Sequence, residues 1–274
     1  MKILALPGIR IESITNKALE VAEQRFDTFY VMDIENVASG TALPVTSSAE
    51  TVDITATADR FRSRLLDSSF GAAYFPDVSI LSPSPEDSDL ETEVFVPASI
   101  HALRVLGRSD RTASLLAPSG PDRGAVSPTG IQSKVKFEST QRSSIKKLYE
   151  VGINPIIEDV TTGLYVFGSR TLMTTADSLF QSIAIRRMVL ELRRQIKDIA
   201  ENLLFEQSQE QTLKEFELLA RPVVNKLVSR GGIRKFKVKI DTTTTTEADI
   251  KKNIVRGQIY IQPIRSDEII QVDF

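Results

Sequence analysis

The sequence predicts an α/β (α+β) fold: a mixed β-sheet flanked by helices, with terminal strand arms. Three observations carry that prediction. Short apolar runs alternate with amphipathic stretches over residues 3–81, the rhythm of an open sheet with helices packed on it. The longest helical pattern in the chain follows at 177–204. Residues 233–240, IRKFKVKI, then alternate apolar and basic side chains, the pattern of a half-buried strand.

The first apolar run, 3–6, closes on Pro7 and Gly8 and reads as a strand and turn. Residues 17–26 place Leu19, Ala22, Glu23 and Phe26 at helical spacing, and 29–34 is a buried strand. A helix over 51–66 aligns Ile54, Ala58, Phe61 and Leu65 on one face. Strand character returns at 71–81, where Pro76 predicts a bend or an edge position. The stretch 82–93, with two prolines, five acids and no base, predicts an exposed loop. Residues 96–106 form a helix with Pro97 in its first turn. Prolines and glycines make 109–130 a long loop.

A short helix over 143–151 stops at Gly152, and strands at 153–157 and 164–167 flank Gly163. Phe180, Ile183, Ala184, Met188, Leu192, Ile196 and Ile199 make the buried stripe of the long helix. A second helix, 211–228, contains Pro222, which predicts a kink or break. A short helical piece at 247–253 and strands at 258–263 and 268–274 complete the chain. The division expected is an N-terminal α/β part, 1–95, and a core with the long helix pair and strand arm, 96–274, in one compact unit.

Composition limits the chemistry. Apolar content of 41% and charged content of 26% suit a globular protein of 274 residues. No run approaches the 18 apolar residues of a membrane span. A formal charge of −2 gives no reason to expect nucleic acid. The absence of cysteine excludes disulfides and thiolate chemistry, and His101 stands alone, so histidine-based triads and metal sites lack partners. Synthesis in the cytoplasm is the simplest expectation.

The glycine-rich stretch 152–172, GINPIIEDVTTGLYVFGSRTL, is the nearest thing to a phosphate loop. Its glycines at 152, 163 and 168 lack dinucleotide or P-loop spacing, and no lysine follows. A helix cap, a hairpin turn and a strand-end bend account for them better. Arg186, Arg187, Arg193, Arg194 and Lys197 put five bases on the long helix; the expected role is a solvated flank with ion pairs to neighbouring subunits. No catalytic constellation emerges. The closing strand EIIQVDF is more telling, because a terminal strand ending on an apolar residue invites pairing with another chain's sheet edge.

The order of motifs resembles the C-terminal, core-forming part of contractile tail sheath proteins of bacteriophages, pyocins and related injection systems. AAYFPDV at 72–78 is similar to the family's Ala-Ala-Tyr-Tyr-Pro-Trp strand. VPAS at 96–99, SD at 109–110 and APSG at 117–120 look like its Val-Pro-Pro-Ser, Thr-Asp and Ala-Pro-Ala block. LYEVGINPI at 148–156 and GLYVFGSRTL at 163–172 are similar to Leu-Asn-x-x-Gly-Ile-Asn and Val-Trp-Gly-Ala-Arg-Thr. IAIRRMVLEL at 183–192 looks like the Val-Asn-Val-Arg-Arg-Leu helix. LLFEQ at 203–207 and ADIKKNIVRGQIYIQPI at 248–264 stand for Val-Phe-Glu-Pro and the last strand region. The resemblance covers 71–274, with Asp77, Phe167 and Gln207 departing from the family's Trp, Trp and Pro.

The resemblance implies a structural subunit of a virion tail, made in the bacterial host cytoplasm and used in genome ejection. It implies stacked six-membered rings around a tail tube, with rigid-body contraction driving the tube through the host envelope. Gly152, Asn154, Gly168, Arg170, Thr171, Arg186 and Arg187 match the family's core motif. The arm of Glu268, Ile269, Ile270, Gln271, Val272, Asp273 and Phe274 would pair with a neighbouring subunit, and Lys251 and Lys252 would face the tube. Implied partners are further copies of the chain and the tube, baseplate and tail terminator proteins, without cofactor, metal, nucleic acid or membrane insertion. Family members usually carry an N-terminal arm and, in large members, surface domains ahead of this region, so a fragment or a reduced member is expected. The alternative is a soluble α/β enzyme binding an anionic substrate near residues 152–172 through Arg170.

Overall fold

The computed structural model describes residues 2–38, 52–83, 91–112, 117–126, 131–133, 142–159, 161–175, 178–203, 209–239 and 257–264. Strands and helices alternate from the start: β1 (Lys2–Ala5), α1 (Glu12–Arg25), β2 (Thr28–Asp33), α2 (Ile54–Ser63) and β3 (Gly71–Phe75). Then come β4 (Val78–Pro83), β5 (Glu91–Val96), α3 (Ala98–Arg111), α4 (Gly120–Arg123), β6 (Ile131–Ser133) and α5 (Arg142–Glu150). The hairpin β7 (Ile153–Asp159) and β8 (Gly163–Val166) precedes two long helices, α6 (Ile183–Asn202) and α7 (Gln209–Ser229). The final described strands are β9 (Ile233–Lys239) and β10 (Gln258–Pro263). The class is mixed α/β, as the residue patterns predict.

The chain divides into two compact units, 2–112 with 117–186, and 187–274. The first is organised by a five-stranded sheet in the order β1-β2-β3-β7-β8. Its first four strands are parallel and β8 runs antiparallel to β7. Every residue of β2 and β3 is buried, so both faces of the sheet's middle are covered, as parallel strands require. Phe29, Tyr30, Val31 and Met32 are completely buried, each contributing roughly 1.5–3 kcal/mol of transfer free energy. A second, three-stranded antiparallel sheet, β5-β4-β6, belongs to the same unit.

Local chemistry explains most element ends. Asp53 caps α2, its side chain accepting from the Ala56 N–H at 2.9 Å. The helix ends at Ser63, and Leu65, expected on its buried face, turns into a left-handed conformation and is 86% exposed. Phe26, expected inward on α1, is instead the left-handed C-cap and about half exposed, its ring edge-on to Phe70 at 5.4 Å. Pro76 sits at a bend, as predicted, but the edge position is wrong. β3 lies in the middle of its sheet, and Pro76 falls in the short connection after it, where the chain leaves for β4 in the other sheet. The predicted loop at 82–93 is in part a hairpin, since β4 reaches Pro83 and β5 begins at Glu91. The predicted loop at 109–130 starts later, because α3 runs on to Arg111, and it contains α4.

Helix α6 begins at Ile183, still in the first unit, after a short 3-10 turn at Leu179–Gln181. Helix α7 runs through Pro222 without the predicted break. Proline removes one helical N–H and crowds the preceding turn; here Pro222 and Leu218, whose carbonyl loses that donor, both lie on an exposed face. Ala220, Val224 and Leu227 form the buried stripe of α7. β9 and β10 pair antiparallel, a two-stranded sheet among the described residues.

Candidate functional site

The described motif residues in 152–172 come together as a bracket within the first unit. Gly152 follows α5 with φ +83°, and its N–H bonds the Tyr149 carbonyl at 3.1 Å, a helix-ending glycine. Gly163 turns the β7–β8 hairpin with φ +76°. Asn154, fully buried on β7, joins three segments. Its Nδ2 donates to the Ala73 carbonyl on β3 at 3.0 Å and to the Arg170 carbonyl at 2.7 Å, while its Oδ1 accepts from the Arg170 N–H at 2.7 Å. Gly168 is needed for space: a Cβ there would stand 2.6 Å from the Asn154 Oδ1 and 3.1 Å from both the Asn154 Cα and the Tyr149 ring.

The strip after Gly168 ties the sheet to the entry of α6. Leu172 donates to the Gly71 carbonyl, the Thr171 N–H to the Gln181 carbonyl, and Ile183 to the Ser169 carbonyl. The Thr171 hydroxyl donates to the Phe180 carbonyl at 2.8 Å. The Arg170 guanidinium lies 4.2 Å from the centre of the Tyr149 ring. Arg186 is clamped between Phe70 and Phe180, 4.3 and 4.0 Å from their ring centres, and donates to the Ser69 hydroxyl. Burial lowers its pKa to about 10. Arg187 is 7% exposed and assigned to the second unit. The expected solvated flank is therefore wrong for Arg186 and Arg187. Arg194 and Lys197 do lie on a solvated face, and they pair with Glu191, Asp198 and Glu201 of the same helix, where the sequence suggested neighbouring subunits.

At the carboxyl ends of β2 and β3, the side of the sheet where open α/β folds bind ligands, the acids Asp33 and Asp77 are engaged in internal bonds. Asp33, 1% exposed at the end of β2, accepts from the Gly8 N–H at 2.9 Å, the Ser99 N–H at 2.8 Å and the Ser99 hydroxyl at 2.7 Å. Burial raises its pKa against the pull of these donors. Asp77, which stands where the resemblance expects Trp, takes Arg10 Nη2 at 2.6 and 2.5 Å on its two oxygens. His101 is buried on α3, and burial first, then the charge of Arg104, lowers its pKa. The four parallel strands follow chain order across the sheet. The reversal of order that opens a ligand crevice in doubly wound folds is thus missing from them. Among the described residues no cluster of histidine, aspartate and glutamate could hold a metal ion, and no helix is long and apolar enough to cross a membrane.

The second unit offers a different kind of site, the β9–β10 hairpin. Lys235, Lys237 and Lys239 lie opposite Gln262, Tyr260 and Gln258. Phe236 and Val238 alternate with them and pair opposite Ile261 and Ile259. The register shift between Gln262 and Pro263 leaves Arg234 as an extra residue, a bulge that lets Ile233 turn inward and be buried. Among the described residues neither outer edge of this hairpin is paired. Lys251, Lys252 and the arm Glu268 to Phe274 lie outside the described residues. The Arg10–Asp77 pair and the Arg186 clamp escaped the sequence reading because their partners are distant in the chain. The lysine row was visible in IRKFKVKI as alternation.

Comparison with known proteins agrees with the ordered motifs. Residues 175–274 match the family model described as the phage tail sheath C-terminal domain. The chain is 28% identical over 159 residues to the tail sheath protein of Vibrio phage KVP40, covering 58% of this chain and 23% of that protein. It is also 28% identical over 181 residues to the tail sheath protein of Enterobacteria phage T4, covering 66% and 27%. The chain thus spans about a quarter of the length of these curated relatives. Its fold is similar to a chain in the anti-feeding prophage baseplate, with TM-score 0.76, 20% identity and coverage of 100% of this chain and 68% of that one. A chain of the PVC sheath complex of an extracellular contractile injection system, in its contracted state, matches with TM-score 0.76 and 18% identity over 100% of this chain and 70% of that one. Residues 175–274 match the phage tail sheath C-terminal domain, and the chain is similar to the tail sheath proteins of phages.

Proposed function

We propose that the chain is a structural subunit of a contractile sheath, joined to its neighbours by strand addition. The observation that carries this reading is the tail sheath domain match at 175–274, whose described part includes a two-stranded sheet with both edges unpaired. A two-stranded sheet with open edges can accept further strands. The arm 267–274 is the segment proposed to supply one, from a neighbouring copy. Main-chain pairing suits a contracting lattice, because it survives rotation of rigid subunits while side-chain contacts are exchanged. In this reading the copies stack as six-membered rings around a tube protein, Lys251 and Lys252 face the tube, and baseplate and terminator proteins close the ends. The particle is a tail built in the bacterial cytoplasm.

Deletion of 267–274 tests the reading. The expected product keeps the far-ultraviolet circular dichroism of the parent chain but sediments as a monomer at concentrations where the parent assembles. Retained assembly would count against strand addition.

A further inference from the structure

Arg186 is a half-buried base without an acid. Its guanidinium carbon lies 4.3 Å from the centre of the Phe70 ring and 4.0 Å from that of Phe180, and its Nη2 donates to the Ser69 hydroxyl. A guanidinium has five N–H donors to place, and the Nε of Arg186 is buried without an acceptor. Other arginines of the first unit are answered by carboxylates. Asp77 holds Arg10, Glu35 holds Arg60, and Arg64 feels the charges of Glu12 and Glu35. Among the described residues no carboxylate pairs with Arg186. Burial alone lowers its pKa, with no acid pulling the other way. Asp67, two residues before Ser69, is turned instead to the Thr174 N–H, and Asp27, beside Phe26, to Lys2 and Arg25.

The setting adds positive potential rather than relieving it. Arg186 stands in the first turn of α6, which carries no acidic residue. The unspent N–H groups of a helix start favour an anion there and disfavour a cation. Phe70 and Phe180 occupy the faces of the guanidinium, so a partner reaches it along its edge. That in-plane approach is the one a flat carboxylate uses to accept two N–H bonds at once. The surroundings are apolar: Phe26, edge-on to Phe70, and Leu179, next to Phe180, are both exposed. An ion pair gains strength where such side chains keep water away.

We propose that the edge of the Arg186 guanidinium is a carboxylate-binding site. Two sources share this chemistry, a small free carboxylate and an aspartate or glutamate of a second copy of the chain. The second source rests on the sheath reading, and the first does not. The Ser69 hydroxyl and the two rings hold the guanidinium in place beforehand, so binding does not have to order the side chain.

Thermal melting of the full chain in sodium acetate and in sodium chloride, at matched ionic strength, tests the site. The parent is expected to melt about 1–2 °C higher in acetate, and R186Q at the same temperature in both salts. Each chain is compared with itself, so the stability that R186Q loses with its ring contacts drops out. Sedimentation velocity at matched concentration separates the sources. If a second copy supplies the carboxylate, R186Q lowers the assembled fraction about tenfold, while R186K, which keeps a cation between the rings, stays within about threefold of the parent. If the carboxylate is a free ion, all three chains assemble alike and only the acetate effect depends on Arg186. The proposal is overturned if acetate acts equally on the parent and R186Q, or on neither, and R186Q assembles like the parent or R186K no better than R186Q. A parent that never assembles would remove the sheath reading and leave the acetate comparison to decide.

Discussion

Asn154 carries more of the first unit's architecture than any other polar side chain in the motif. It bonds the Ala73 carbonyl and both backbone groups of Arg170, so it fixes β7 to β3 and the strip after β8 to β7. Gly168 leaves the room this requires. Gly168→Ala is therefore expected to destabilise the chain by about 1–3 kcal/mol, because overpacking displaces a fully bonded buried amide. The midpoint of a denaturant titration would show it, and an unchanged midpoint would mean that the bracket relaxes freely. Sequence singled out both residues but could not give their reason. Gly168 reads as a bend for a strand leaving the sheet, whereas the limit is a side chain that arrives from another strand. The same distance in sequence hid Ser69, Phe70 and Phe180 around Arg186, so a buried clamp looked like a solvated helix flank.

At the scale of elements, periodicity found most strands and helices, and the misplacements have local causes. Helix α2 stops short of Leu65 because residues 64–65 close a tight turn, Leu65 donating to the Arg62 carbonyl at 3.1 Å. The acidic composition of 82–93 masked strands whose pairing partners, β4 for β5 and β6 for β4, come from tertiary structure. Pro222 was expected to kink or break α7; the helix continues through it, and Leu218, whose carbonyl loses its donor, is exposed. It still costs a hydrogen bond. Pro222→Ala is expected to raise the unfolding free energy of the second unit by about 1–3 kcal/mol, read from guanidinium unfolding followed by circular dichroism. A loss of stability would show that the ring itself is packed against something that alanine cannot replace.

For the whole molecule, the comparison with known proteins and the topology point the same way. The parallel strands lie in chain order, and the strand ends that would frame a substrate are occupied by Asp33 with Gly8 and Ser99, and by Arg10 with Asp77. Among the described residues the outer edges of the β9–β10 sheet are unpaired. The sequence made the likeness to tail sheath proteins legible through the order of short motifs, and the strands β9 and β10 through IRKFKVKI and residues 258–263. It could not show that the first of these strands forms a two-stranded sheet, because that depends on where β10 comes to lie. The central claim is that copies of this chain build a sheath. Negative-stain electron microscopy of the purified chain at high concentration tests it most directly: hexameric rings or tubes are the result predicted, and a monodisperse small species with saturable phosphate or nucleotide binding would contradict it.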